Sequence, residues 1–221
     1  MIFNKSIIAV VTARLNSKRL KYKNILKFKN KTLIEHTYDS ARNSKYLDRI
    51  IMSTESKKIA NIAKKIGYEI PFMRPKSLSK DTVNPRDVVW HALNKLKEKY
   101  DYVILLQPTS PLRKTSDIDN SIEKFFFSKL NSLVSVYKSK KTGRFKIKIK
   151  DHKYIKKDYL NRKKQKSNYF INGAIYIAKA NFFLRKRNFY YSKTGFYLMS
   201  EKRSIDIDYQ KDFKKLNQNL K

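Results

Sequence analysis

The longest apolar runs, Ile7–Val11 and Val103–Leu106, constrain this chain more than any other feature. Each is short, unbroken and rich in β-branched or leucine side chains, which predicts strands buried on both faces: Ile7–Ala13 and Tyr102–Leu106. Neither approaches the length needed to cross a bilayer. Helical signals separate them. Thr32-Leu-Ile-Glu35 has capping-box spacing and predicts a helix to about Asn43. Arg49–Ser53 reads as a strand and Ser56–Ile66 as a helix stopped by Gly67. Pro85 suits a first helical position and opens a helix to about Tyr100, with Val88, Val89, Ala92, Leu93 and Leu96 on one face. A helix over Ser116–Phe127, strands over Ser132–Tyr137, Tyr169–Ala178 and Gly195–Met199, and a helix from about Tyr209 complete the pattern. The alternation predicts an α/β fold with a doubly wound, mostly parallel sheet.

The 221 residues are expected to form a single domain. Its regularity breaks between Lys138 and Lys166, a Lys- and Arg-dense stretch expected to be an exposed arm or an insertion covered by a partner subunit. A net charge of +34 ordinarily suggests nucleic acid. Here lysine is spread along the whole chain beside abundant Asn, Ile, Tyr and Phe, a bias of composition that favours anionic ligands in general over a specific nucleic-acid partner. The absence of cysteine excludes disulfides, thiolate metal sites and a cysteine nucleophile. Three scattered histidines argue against a zinc site. The first residues lack the basic-then-apolar layout of a secretory leader, so a cytoplasmic location without membrane insertion is expected.

Ligands of open α/β sheets bind beyond the carboxyl ends of the strands, and three features fall there. After the first strand, Arg14, Lys18 and Lys23 can surround a polyphosphate and Ser17 can donate to it, although no glycine-rich phosphate loop is present. After Tyr102–Leu106, the turn Gln107-Pro-Thr-Ser-Pro-Leu-Arg113 offers an amide, Gln107, where a ligand would lie. Near the end, Asp206 and Asp208 stand two apart in an extended segment and can face one Mg²⁺ together with phosphate oxygens. Each feature alone also reads as a solvated loop, a capped turn or a polar strand end.

Taken together and in order, Arg14…Ser17-Lys18…Lys23-Asn24, Arg74-Pro75, Gln107-Pro-Thr-Ser-Pro-Leu-Arg113, Asn172-Gly-Ala-Ile-Tyr-Ile177 and Asp206-Ile-Asp208 resemble the acylneuraminate cytidylyltransferases, the family of the CMP-sialic acid synthetases. The resemblance runs from Ile7 to Phe213. It implies a Rossmann-like nucleotidyltransferase that joins CTP to a nine-carbon 2-keto (nonulosonic) acid, giving CMP-sugar and pyrophosphate with Mg²⁺. It further implies that Arg14, Ser17, Lys18 and Lys23 bind the triphosphate and that Asn24 and Arg74 contact the nucleotide. Gln107 would orient the sugar, and Asp206 and Asp208 would hold the metal. The family is dimeric. The insertion at 138–166 would close the partner's sugar pocket, Arg162 would meet the sugar carboxylate, and Tyr176, Phe189 and Tyr190 would line the acylamino pocket. The Gln107–Pro111 turn stands where many other nucleotidyltransferases carry a metal-binding Asp, which disfavours an eight-carbon acid. Leu15 and Asn16 replace two family glycines and Lys21 a proline, so a different loop shape or weaker CTP binding is expected. The alternatives are a cytidylyltransferase for another sugar acid and a basic RNA- or anionic-surface-binding protein on a degenerate transferase fold.

Overall fold

The structure, a computed structural model, describes residues 4–139, 146–147, 149–150, 154–155, 168–191 and 193–218. In chain order these form β1 (Ile7–Thr12), β2 (Lys27–Phe28), β3 (Lys31–Thr32), α1 (Leu33–Arg42), β4 (Arg49–Ser53), α2 (Lys57–Ile66), α3 (Pro85–Lys95), β5 (Tyr102–Leu106) and α4 (Thr115–Phe127). There follow β6 (Ser132–Lys138), β7 (Lys146–Ile147), β8 (Ile149–Lys150), β9 (Tyr154–Ile155), β10 (Tyr169–Lys179), α5 (Ala180–Lys186), β11 (Thr194–Met199) and α6 (Gln210–Gln218). No helix among the described residues is long and apolar enough to cross a membrane.

The main sheet runs β4-β1-β5-β10-β6-β11-β9-β8. β4, β1 and β5 are parallel, as are β6 and β11, and β10 runs antiparallel between β5 and β6. Helices cover both faces. Ile34, Ile59, Ala63, Ile118, Ile122 and Phe125 from α1, α2 and α4 pack on one side, and Val89, Ala92 and Phe183 from α3 and α5 on the other. Every residue of β1 except Thr12 is buried, as its unbroken apolar run requires.

The helix signals act as the sequence indicates. Thr32 and Glu35 form a reciprocal capping box, Ser56 caps α2, and Asn84 caps α3 with Pro85 at its start. α3 stops at Lys95 rather than near Tyr100, because Leu96 turns extended. Leu96 and Tyr100 then pack against the sheet, leaving Lys97–Lys99 to solvent. The hairpin β2–β3, helix α5 and the short strands β7 to β9 add to the expected elements. The described parts of 138–166 fold back onto the sheet. β7 pairs with the start of β10, and β9 with β11 at Gly195.

Gly67 ends α2 at φ +115°, and a Cβ there would lie 2.5 Å from the Tyr38 hydroxyl. Gly67→Ala is therefore expected to cost about 2 kcal/mol in urea unfolding, from left-handed backbone strain and displacement of the Tyr38 ring. A loss under about 0.5 kcal/mol would mean that the helix end relaxes freely.

Candidate active site

A cavity of about 630 Å³ opens beyond the carboxyl ends of β1 and β5. Seven segments build it: the basic loop after β1, the 74–88 segment leading into α3, the end of β5 with the turn after it, β7, β10, the 188–190 stretch after α5, and the stretch before α6.

Tyr22, at φ +55°, is the left-handed residue of the basic loop. Neither Leu15 nor Asn16 adopts positive φ. A carboxylate supplied from the next strand holds the loop instead: Glu55, just after β4, accepts from the Leu15 backbone N–H at 2.9 Å through one oxygen. Its other oxygen takes the Arg74 guanidinium at 2.6 Å and the Ser79 hydroxyl at 3.1 Å. Arg74 is buried, its side chain only 3% exposed, and also donates to the Ala13 carbonyl and to Ser79 Oγ. Burial lowers the Arg74 pKa, partly offset by Glu55. Burial pushes the Glu55 pKa up, but the Leu15 N–H and Arg74 outweigh it and leave it lowered. Asn24 is buried and donates its amide to the Arg14 carbonyl at 2.9 Å. Both faces of the loop are thus pinned from below. Sequence reading missed Glu55, because a lone carboxylate after a strand carries no signal until its partners are known.

The basic side chains face carboxylates across the cavity. Arg14 meets Asp81 at 2.5 Å and the Ser79 carbonyl at 3.1 Å, and the Lys18 ammonium lies 3.7 Å from Asp81. Lys23 and Arg19 meet Asp208 at 2.8 and 3.1 Å. Asp206 and Asp208 both reach the cavity because the intervening Ile207 turns inward, buried in a small core with Leu20, Phe28, Leu33 and Leu216. The Ile207 N–H donates to the Thr109 carbonyl at 2.8 Å, fixing this segment to the proline turn. The segment is irregular rather than a strand.

Asn172 ties the β10 wall to the same segment. Its Oδ1 accepts from Ser135 Oγ at 2.6 Å and from the Ala174 N–H at 3.1 Å, while its Nδ2 donates to Ser204 Oγ at 2.9 Å. These bonds stabilise a register shift between Ile171 and Tyr176, with Gly173 at φ +78°. A Cβ on Gly173 would stand 3.0 Å from Gln107 Oε1 and 4.0 Å from Asp206 Cγ, so the glycine lets three walls converge. Beneath the turn, the buried Arg113 guanidinium donates to the Gln107 and Ala174 carbonyls at 3.2 and 2.8 Å. Burial lowers its pKa to about 10. Tyr176, Phe189 and Tyr190 form an aromatic corner, with Tyr176 ring centroids 5.5 Å from Phe189 and 6.3 Å from Tyr190. Burial raises the Tyr176 hydroxyl pKa to about 12. Ile147 of β7 completes this wall.

Of the residues expected from sequence, Arg14, Lys23, Asn24, Arg74, Gln107, Tyr176, Phe189, Tyr190, Asp206 and Asp208 line this cavity. Ser17 is buried and not among the lining residues; Lys18 stands at the rim with 86% of its side chain exposed. Arg162 lies outside the described residues. The structure adds Arg19, Asp81 and Arg86 to the cavity wall. His36 Nε2 donates to the Phe28 carbonyl at 2.8 Å and His91 packs edge-on to Phe72, so both serve the fold.

A sequence model of the cytidylyltransferase family matches residues 8–220. The chain belongs to that family. It is 32% identical over 216 residues to the post-translational flagellin modification protein B of Campylobacter coli, covering 94% of this chain and 92% of that one. It is 31% identical over 212 residues to the N-acylneuraminate cytidylyltransferase of Escherichia coli O18:K1:H7, covering 94% of this chain and spanning half the length of that protein. A solved CMP:2-keto-3-deoxy-manno-octonic acid synthetase complexed with CTP superposes with a TM-score of 0.76 at 14% identity, over 97% of this chain and 98% of that one. At that identity the likeness is one of fold, and it establishes the Rossmann-like nucleotidyltransferase architecture expected from sequence.

In this cytidylyltransferase, Glu55→Gln keeps an acceptor for Leu15 and withdraws the charge facing buried Arg74. The expected loss is about 3 kcal/mol in urea unfolding at neutral pH. Because the Glu55 pKa is lowered in the fold, its contribution is full above the ordinary carboxylate range and fades as the pH falls through the folded value. The stabilities of parent and variant should therefore converge on acidification; curves that stay parallel down to about pH 3 would assign the stabilisation to another contact.

Proposed function

We infer that this chain transfers a cytidylyl group from CTP to a nine-carbon 2-keto sugar acid of the sialic acid type. The observation that carries this reading is the convergence, on one cavity, of a cationic loop, two carboxylates and an amide beside an aromatic corner. The name of the E. coli relative supports the acid class.

In this reading the anomeric hydroxyl of the acid attacks the α-phosphorus of CTP. A phosphorus–oxygen bond to the sugar forms, the bond to the bridging oxygen of pyrophosphate breaks, and the hydroxyl proton is released. Such chemistry needs alignment and charge neutralisation more than a covalent helper, which suits a chain without cysteine and a cavity wall with no histidine among the described residues. Arg14, Lys18 and Lys23 bind the triphosphate, Asn24 and Arg74 contact the nucleotide, and Gln107 orients the sugar; Ser17, buried outside the cavity lining, is left out of that set. Tyr176, Phe189 and Tyr190 take the acylamino group. The aromatic corner offers ring surface and, at Tyr176, a hydroxyl whose raised pKa keeps it a protonated donor.

Asp206 and Asp208 fit a cation shared with the substrate. Mg²⁺ commonly takes one or two carboxylates and completes its shell with phosphate oxygens and water, and no group of three acidic or histidine ligands exists among the described residues to form an all-protein site. When bound, the metal neutralises charge building on the departing pyrophosphate. Homodimerisation through residues 138–166, with Arg162 on the acid's carboxylate, belongs to the same proposal. The contribution of Ile147 to the cavity wall supports a role for this region at the sugar end.

The test is pyrophosphate release by purified protein with CTP and Mg²⁺ across N-acetylneuraminic, legionaminic and pseudaminic acids, with ATP, GTP and UTP as nucleotide controls. Release with CTP and one acid is expected. Release with no acid, from a folded protein that binds CTP, would overturn the acid class. Asp208→Asn should cut turnover at least about 100-fold while thermal unfolding shifts by only a few degrees. Near-parent Mg²⁺-dependent turnover would move the metal elsewhere.

A further inference from the structure

Asp81 lies on the wall opposite the basic loop, in the short connection between Ser79 and α3. Its two oxygens face two cations of that loop: Oδ1 meets Arg14 at 2.5 Å and Oδ2 stands 3.7 Å from Lys18. The same connection supplies Lys80, Val83 and Asn84 to the cavity. We propose that Asp81 is a built-in counter-ion, occupying the cations that take the triphosphate and yielding them when a polyphosphate enters. This rests on the cytidylyltransferase reading and goes beyond it, because it assigns a role to a carboxylate on the phosphate side of the cavity.

The physical argument is one of competing charges. Arg14, Lys80 and Arg86 line the cavity and Lys18 stands 3.7 Å from Asp81 at its rim, in a chain of net charge +34. Without a carboxylate these cations repel each other. Asp81 neutralises part of that charge while other bonds hold the loop in place. Its side chain is 35% exposed, so the pair is screened and exchangeable, unlike the buried pair of Glu55 and Arg74. A triphosphate carries several charges and can replace a single carboxylate on Arg14 and Lys18. A neutral nucleoside gains nothing from the exchange.

The sign of the effect follows from what else holds Arg14. Its other guanidinium nitrogen donates to the Ser79 carbonyl at 3.1 Å, and its backbone carbonyl is held by Asn24. Removing the Asp81 charge therefore exposes cationic groups without releasing the chain that carries them. Asp81 acts through Arg14 and Lys18 and is a positioning residue, not a catalytic one.

The experiment is titration of pyrophosphate, CTP and cytidine against the parent chain, Asp81→Asn and Asp81→Ala at low and high salt. Asp39→Asn is the control for net charge, since Asp39 of α1 pairs with Lys31 of β3 and Arg42 of α1 and is not among the residues lining this cavity. Both Asp81 variants are expected to bind pyrophosphate and CTP about three- to tenfold more tightly at low salt, with the gain shrinking as salt rises. Cytidine affinity and thermal unfolding should stay unchanged, and Asp39→Asn should bind as the parent does. Equal or weaker pyrophosphate binding by folded Asp81→Asn would overturn the proposal while leaving the cytidylyltransferase reading intact. A parent chain that binds neither CTP nor pyrophosphate would overturn both.

Discussion

The site depends on one buried ion pair. Glu55 and Arg74 meet at 2.6 Å beneath the loop that follows β1, and the same carboxylate captures the Leu15 N–H. Polyphosphate loops commonly approach their ligand through glycines, whose freedom lets the backbone come close. Here the loop contains none between Thr12 and Asn24, and its path is imposed from outside. Desolvating two charges is costly unless further hydrogen bonds complete their shells. Ser79, Ala13 and Leu15 supply those bonds, so the loop is part of what makes the pair tolerable. Loop geometry and pair stability are one property seen from two sides.

A second anchor works on the far wall. Asn172 links β6, the Gly173 bulge and Ser204, so the position of Asp206 and Asp208 is set from the middle of the sheet. Arg203 reinforces this by binding the buried Asp117 of α4 through two nitrogens at 3.0 and 2.9 Å. Arg113 ties the proline turn to β10 from below. Three segments far apart in sequence therefore hold fixed relative positions before any ligand arrives, which is the preorganisation that nucleotidyl transfer calls for.

The amino-acid pattern makes much of this legible. The apolar runs at Ile7–Val11 and Val103–Leu106 identify the central parallel strands, and the caps at Thr32, Ser56 and Pro85 set three helix starts, because these signals are local. Strand direction is not local: nothing in Tyr169–Lys179 announces that it runs against its neighbours. The end of α3 is not legible either, because Leu96 and Tyr100 keep helical spacing while serving an extended segment. Within the site, cations, amide and carboxylates stood out by residue type and order. Glu55 and Asp81 did not, since each owes its role to partners 40 and 67 residues away.

The most direct test of the central claim is the affinity for CTP of Leu15→Gly/Asn16→Gly, measured by calorimetric titration beside the parent chain. If Glu55 and Arg74 set the loop, the two glycines only add freedom to be lost on binding, and the variant should bind CTP equally or up to about fivefold more weakly. A variant that binds about tenfold more tightly would show that the side chains at 15 and 16 hold the loop away from the phosphates, and the account of a loop shaped by its buried carboxylate would be wrong.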